Sequence, residues 1–144
     1  MSLNITPSAE AFSEDKFLSI FDETIMQDEK PITKVYTLGT HTVTIRTKTT
    51  EEFEHILNYM QGTDSNTPLM IYKMNLAMLA FGLAKIDKED FDKGTIEERI
   101  ARINKMPIVK KDLLSDFLHE FETSIDDMRK KFKNFSPSLS PNRF

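Results

Sequence analysis

One stretch of this chain, from Thr67 to Ile86, constrains the fold more than any other. It reads TPLMIYKMNLAMLAFGLAKI, and its apolar residues point to almost every side of a helix instead of forming one stripe. A helix that is apolar all round must be covered on several sides, either by its own domain or by another chain. We therefore predict a helix over 68–86 that forms the centre of a compact bundle of four to five helices.

A stretch of this kind raises the question of a membrane span. Lys73, Asn75 and Lys85 lie inside it, and its length is at the short limit for crossing a bilayer. We therefore favour a buried helix and expect no association with a membrane.

Composition narrows the class of protein. A chain of 144 residues is long enough for one domain that buries roughly 70 % of its unfolded surface. The net charge of −4 and the pI near 5.4 argue against nonspecific binding of nucleic acid, which requires a basic surface. The chain contains no cysteine, which excludes disulfides and thiolate metal sites and fits a reducing cytoplasm. The first residues lack the basic and apolar regions of a signal peptide.

In the first half of the chain, the spacing of apolar residues changes near Pro31 from a helical to an alternating pattern. Residues 1–30 are expected to form an N-terminal extension with one short helix that starts after Ser13, where apolar residues recur at helical spacing: Phe17, Ile20, Phe21 and Met26. Residues 33–47 form two runs that are rich in β-branched side chains and in which apolar and polar residues alternate, with Gly39 between them. This pattern predicts one small β-hairpin, which is marginal in water unless it lies on the helices or pairs with another strand.

The second half reads as helices separated by clear breaks. Thr49 with Glu52 and Thr95 with Glu98 have the spacing of capping boxes, so each pair predicts the start of a helix. Residues 87–94 read as a charged connection, and Met106–Pro107 should end or kink the second of these helices. A last amphipathic helix is predicted over 112–132, within a domain of residues 31–133, and a tail rich in Pro and Ser follows at 134–144. The predicted fold class is mainly α with one small β-hairpin (α+β).

No residue pattern selects a catalytic or metal site. His41, His55 and His119 lack the paired spacing of zinc ligands, and the acidic run from Asp87 fails the calcium-loop pattern because Phe91 and Asp92 occupy its fifth and sixth positions. Phosphate-binding glycine loops and a nucleophile elbow are absent from the sequence. With 23 acidic residues, a pair of carboxylates for acid–base catalysis remains an open possibility, but no spacing in the sequence selects one. We expect no catalytic residue, no metal and no cofactor.

The apolar composition points to adaptable surfaces. Eight Met and eleven Phe residues with no Trp are typical of cores and also of grooves that bind proteins. We favour the core interpretation for most of them and keep an exposed docking face as the alternative.

The order of elements resembles that of small assembly proteins of tailed bacteriophages, namely tail-assembly chaperones and baseplate or hub proteins. The resemblance covers residues 33–130 and includes the hairpin VYTLGTHTVTIRTKTTEEFEHI, the run LAFGLAKID, the helix EERIARINKMP and the closing helix LLSDFLHEFETSI. The motif residues are Gly82, Leu83, Ile86 and Asp87, then Glu98 and Arg99, then Ile103, Met106 and Pro107. Residues 1–30 and the tail have no counterpart in this pattern.

The resemblance implies a non-enzymatic protein for tail or baseplate assembly, present in the host cytoplasm during assembly and either released or kept in the virion. Its partners would be other tail or baseplate proteins, with a homo-oligomer as a further option. We expect the hairpin to add to a partner's strand, the last helix to border a docking groove and the tail to bind another subunit. The expected partner-binding residues are Val35, Tyr36, Val43, Ile45, Phe117, Phe121, Leu139 and Phe144. The alternative is a helical adaptor or regulator that binds a single partner protein.

Overall fold

The computed structural model describes residues 5–7, 13–21 and 31–134, the first three by their backbone alone. Within these ranges the chain forms five strands and five α-helices, and a 3-10 turn at Ser19–Phe21 follows the first helix. The strands are β1 (Ile5–Pro7), β2 (Thr33–Leu38), β3 (His41–Arg46), β4 (Leu83–Ile86) and β5 (Glu89–Asp90). The helices are α1 (Glu14–Leu18), α2 (Thr50–Met60), α3 (Pro68–Gly82), α4 (Ile96–Asn104) and α5 (Ile108–Asn134). The predicted α+β class is confirmed.

The hairpin predicted over 33–47 forms as β2 and β3, joined at Gly39, which has a positive φ of 62°. It belongs to a five-stranded antiparallel sheet in the order β1-β2-β3-β4-β5, so the sheet is larger than the single hairpin that the sequence predicted. β1 pairs with β2 from Ile5 opposite Leu38, and β4 pairs with β3 from Val43 opposite Ile86. Strands of this chain therefore occupy both sides of the hairpin. It is stabilised as part of a sheet, which is one of the arrangements that the sequence analysis allowed, and the expected addition of a partner's strand to it is corrected.

Side-chain caps explain where the middle helices begin. The Thr49 and Thr95 side chains each accept a hydrogen bond from the amide three residues on, and their own backbone amides donate to the Glu52 and Glu98 carboxylates. Both predicted capping boxes are confirmed. Thr67 caps α3 in the same way, by accepting from the Met70 amide.

The helix predicted over 68–86 ends at Gly82, and the next four residues form β4. Leu83 has an extended conformation, and the β4 residues pair with β3 through a register that includes Thr44 opposite Lys85. The apolar run does not reveal this change because both the end of α3 and the start of β4 are buried. The charged connection at 87–94 contains β5, which pairs with β4 in a second hairpin that turns at Asp87.

Helix α4 ends at Asn104, as the Met106–Pro107 break predicted, and α5 begins earlier than expected, at Ile108. The Pro107 carbonyl accepts hydrogen bonds from the Lys110 and Lys111 amides, so this proline starts α5.

Helix α3 packs against α2, α4 and α5. Its C-terminal half supplies several buried residues of the core, namely Leu76, Ala77, Leu79, Ala80 and Phe81, which join the inner residues of the sheet and of α5. Two contacts fix the direction of α5 relative to α3: Tyr72 lies beside Lys111, and Gly82 lies beside Leu118. The two helices therefore run in the same direction, and their N-terminal ends lie together.

The short helix predicted after Ser13 is confirmed, with Ser13 as its N-cap. It packs on the C-terminal end of α5, where the rings of Phe17 and Phe132 stack with centroids 5.6 Å apart. Met26, Leu139 and Phe144, which the sequence analysis singled out, lie outside the described residues. Within the described ranges, no helix combines the length and the hydrophobicity that crossing a bilayer requires.

Candidate docking surface

Five of the residues expected to contact a partner lie in the core instead. Tyr36, Val43, Ile45, Phe117 and Phe121 are all buried, with at most 4 % of their surface exposed. Val35 is half-buried. Since a buried side chain cannot contact a partner while the core stays closed, the prediction of a partner site at these five residues is wrong. The interpretation of apolar residues as core, which the sequence analysis favoured, applies to them.

A polar network explains why Tyr36 is buried. Its ring stacks on Phe117 with centroids 4.8 Å apart, and its hydroxyl donates to Glu120 Oε1 over 2.7 Å. Lys34 Nζ donates to the same oxygen over 2.8 Å. Burial acts to raise the pKa of Glu120, but the hydrogen bonds from Lys34, Tyr36 and Ser124 outweigh it and hold this pKa below its usual value. Burial and the Glu120 carboxylate together raise the pKa of Tyr36, so the hydroxyl stays protonated as a donor. This network holds α5 on the sheet.

One group of exposed apolar side chains lies at the N-terminal ends of α3 and α5. On the first turns of α3, Leu69, Ile71 and Tyr72 expose 61 %, 56 % and 46 % of their surface. On the first turn of α5, Ile108 and Val109 expose 70 % and 67 %. Large apolar side chains that cluster on a surface mark interaction sites more often than single ones do.

These five residues belong to one surface because the two helices meet there. The Lys111 ammonium lies 5.3 Å from the centre of the Tyr72 ring, a cation–π contact between α5 and α3. Ile108 is one turn before Lys111 and therefore lies on the same side of α5. We name Leu69, Ile71, Tyr72, Ile108 and Val109 the apolar corner.

The surroundings of the apolar corner are basic. Lys105 and Lys110 flank it in the sequence and are exposed, whereas Arg102 donates to the Lys93 carbonyl and Lys111 Nζ pairs with Asp112 Oδ1 over 2.8 Å. The first turns of α3 and α5 lack acidic residues, whereas those of α2 and α4 each carry two Glu. The positive ends of two helix dipoles thus add to the basic side chains. The chemistry of this surface favours an apolar partner with acidic groups at its rim.

A cleft of about 730 Å³ lies between α2 and the start of α4. Its wall includes Glu51, Glu97 and Arg99, whose guanidinium lies 4.6 Å from the centre of the Phe81 ring. Burial lowers the pKa of Arg99, and its Nη1 is buried without a hydrogen-bond partner among the described residues. The cleft is therefore acidic at its mouth with one cation inside, which is an arrangement that can bind polar groups of a partner.

Arg46 pairs with Glu52 in the wall of this cleft, although its Nε is buried without a hydrogen-bond partner among the described residues. Arg46 donates to both carboxylate oxygens of Glu52 over 2.9 Å and to the Phe81 carbonyl at the end of α3 over 2.8 Å. Burial acts to raise the pKa of Glu52, but hydrogen bonds from Arg46 and from the Thr49 amide outweigh it, so this pKa lies below its usual value. This ion pair joins β3, α2 and α3.

A smaller cavity of about 260 Å³ lies between the turn at Asp87 and α5. At its edge His41 Nδ1 lies 2.8 Å from Asp87 Oδ2, and Asp87 Oδ1 accepts from the Thr42 amide over 2.9 Å. These contacts, the hydrogen bond with His41 first, lower the pKa of Asp87. The residues that line the cavity include no Ser, Thr or Cys that His41 could activate. The pair therefore secures the turn and offers no nucleophile.

Metal binding finds no support in the part of the chain that the structure describes, where no three His, Cys, Asp or Glu side chains gather. The acidic run from Asp87, which fails the calcium-loop pattern, lies in the hairpin of β4 and β5 and the turn after it.

Comparisons with protein-family models, with curated proteins and with solved structures found no match to this chain.

Sequence reasoning placed the docking face at residues of the hairpin, the last helix and the tail, and it did not find the apolar corner. The residues it missed, Ile108 and Val109, follow Pro107 and precede two lysines. A proline before two exposed apolar residues and a basic pair is a signal for a helix start with an uncovered first turn. The signal is short, and only the packing of α3 beside α5 makes it part of a larger surface.

Proposed function

We propose that this chain is a non-enzymatic docking protein that acts in the assembly of a bacteriophage tail or baseplate. The observation that carries the docking role is the apolar corner, where five large apolar side chains of α3 and α5 remain exposed although the C-terminal half of α3 is buried. Burial of apolar surface drives most protein association, at about 25 cal/mol per Å². The basic rim would orient the partner and exclude partners of the wrong charge.

The phage setting rests on the resemblance of residues 33–130 to small tail-assembly and baseplate proteins. In this proposal the core of α3 with α2, α4 and α5 is a rigid support, and the corner is the part that contacts other tail or baseplate proteins. Whether the chain leaves the particle or stays in it divides the chaperone from the structural component.

The experiment is deletion of the coding sequence from the phage genome that carries it, followed by negative-stain electron microscopy of the lysate. The expected result is complete heads with missing or incomplete tails, reversed when the gene is supplied on a plasmid. Intact tails in normal numbers would contradict the assembly role. Mass spectrometry of purified particles then separates the two forms of the proposal, because a component is present in them and a chaperone is not.

The second candidate is a helical adaptor that binds a single partner protein. The same apolar corner favours it, since one compact basic surface is sufficient for one acidic amphipathic partner. The deletion experiment distinguishes the adaptor from the assembly protein, because deletion of an adaptor gene should leave the tails intact.

A further inference from the structure

A second surface of this chain complements the apolar corner in charge. Helix α2 contains Glu51, Glu52 and Glu54 but no Lys or Arg, and the side chain of Glu51 is 85 % exposed. Phe53 and Leu57, on the same helix, expose 42 % and 47 % of their surface. Glu97, in the first turn of the neighbouring α4, is also exposed. We name Glu51, Phe53, Glu54, Leu57 and Glu97 the acidic face.

Helix α4 places the two surfaces at its opposite ends. Its first turn carries Glu97 and Glu98, which belong with the acidic face, and its last residues lead to Lys105 beside the apolar corner. A rise of 1.5 Å per residue puts the backbones of Glu97 and Lys105 about 12 Å apart along the axis. The charges along α4 therefore change sign from one end to the other, and one rigid copy cannot bring its own two surfaces together.

We propose that the apolar corner of one copy docks on the acidic face of a second copy, head to tail. This inference rests on the proposed docking function and names its occupant. The corner combines exposed apolar side chains with the nearby exposed cations Lys105 and Lys110, and the acidic face combines them with Glu51, Glu54 and Glu97. Contact therefore removes apolar area from water while these opposite charges set the orientation. The interface is heterologous: a pair of copies keeps one corner and one acidic face free, and further copies can bind there to form rings or open rows.

Charge also favours a second copy over an anionic membrane. The chain as a whole is acidic, so an anionic bilayer repels most of its surface, whereas the acidic face of another copy presents negative charge together with apolar side chains.

Sedimentation velocity of the full chain, from low micromolar to near-millimolar concentration, tests the proposal. We expect the sedimentation coefficient to rise with concentration and to fall on addition of salt. The variant K105E/K110E reverses the charge beside the corner, and E54K/E97K reverses the acidic face. Each alone should sediment as a monomer, with self-association weakened at least tenfold, and circular dichroism verifies that each is folded.

Mixing the two variants is the decisive step. In an equimolar mixture the retained corner of the E54K/E97K copy meets the retained acidic face of the K105E/K110E copy. The two reversed surfaces are also opposite in charge, so association should return, with the two variants alternating along the assembly. The controls K88E and E89K change exposed charges on the β4–β5 hairpin and should associate like the wild type. The variant I108S/V109S removes apolar surface without a change of charge and should also stay monomeric, which covers the case of a reversed charge that prevents folding.

Three results would overturn head-to-tail docking: a wild-type monomer at every concentration, association of either reversed variant alone, or a mixture that stays monomeric. Binding of the monomeric wild type to vesicles of anionic lipid would also overturn it. The proposed function has a separate readout, which is tail assembly. If the wild-type chain is a monomer and the corner variant still fails to support tail assembly, the corner docks on a different protein.

Discussion

Gly82 lies against Leu118 so closely that a Cβ at Gly82 would come within 2.6 Å of Leu118 Cδ1. The contact joins the end of α3 to the middle of α5 inside the core, where Leu118 is 5 % exposed. The two helices run in the same direction, so the contact between Gly82 and Leu118 also sets the distance between their first turns at the apolar corner. The absence of a side chain at one buried position thus supports a surface three turns away.

The substitution G82A should therefore destabilise the fold. The added methyl forces Leu118 to shift in a closely packed region, and overpacking of this kind costs about 1–3 kcal/mol in the free energy of unfolding. Urea denaturation followed by circular dichroism measures the change. In the double variant G82A/L118V the shorter side chain makes room, so the loss should be smaller than the sum of the two single losses. An additive result would show that the two positions are independent.

The ion pair of Arg46 and Glu52 gives a second prediction, and the neighbouring Glu51 provides a matched control. The side chains of Arg46 and Glu52 are 9 % and 17 % exposed, so E52Q leaves a buried guanidinium without its carboxylate. Breaking a buried pair costs about 3–5 kcal/mol. E51Q, on a side chain that is 85 % exposed, should change the free energy of unfolding by less than about 0.5 kcal/mol. Equal effects of the two substitutions in thermal or urea denaturation would contradict this account of the pair.

Stability should fall in acid through Glu120. The pKa of this carboxyl is lower in the folded chain than its ordinary value of 4.5, so its pairing with Lys34 and Tyr36 stabilises the fold above about that pH. As the pH falls through the lowered pKa the carboxylate takes up a proton and this stabilisation is lost.

The variant E120Q tests this linkage. At neutral pH it should lose about 1 kcal/mol, because Lys34 is left buried beside a neutral amide while solvent partly screens the Glu120 side chain, which is 45 % exposed. Its stability should then change less than that of the wild type between neutral pH and about pH 3. Urea denaturation across this range measures both effects, with E89Q on the exposed strand β5 as the control. Parallel stability curves for wild type and E120Q would show that Glu120 is not the group responsible.

Local patterns in the sequence predicted the parts of the fold that local forces determine. The capping boxes at Thr49 and Thr95, the hairpin around Gly39 and the break at Pro107 each depend on residues a few positions apart, and each is present. The extent of the sheet depends on pairing between distant segments. The apolar run therefore continues through Gly82 without showing that β4 begins there.

The candidate site was hard to predict for the same reason. Alternating and helical patterns identify which residues are apolar, but a buried face and a docking face have the same pattern. Tyr36 and Phe117 were therefore predicted to bind a partner, and both lie in the core. The apolar corner can be recognised only when the packing of α3 and α5 is known. Its residues are far apart in the sequence, and they are exposed because no other element of the described chain packs on them.

The measurement that tests the central claim most directly is complementation of the deleted gene by corner variants. I108S/V109S should fold like the wild type, since both side chains are at least 67 % exposed, and should leave few or no complete tails in the lysate. The control L18S/F21S removes two exposed apolar side chains outside the corner and should restore tails in wild-type numbers. Wild-type numbers of tails with I108S/V109S would contradict the claim that this surface is where the protein docks.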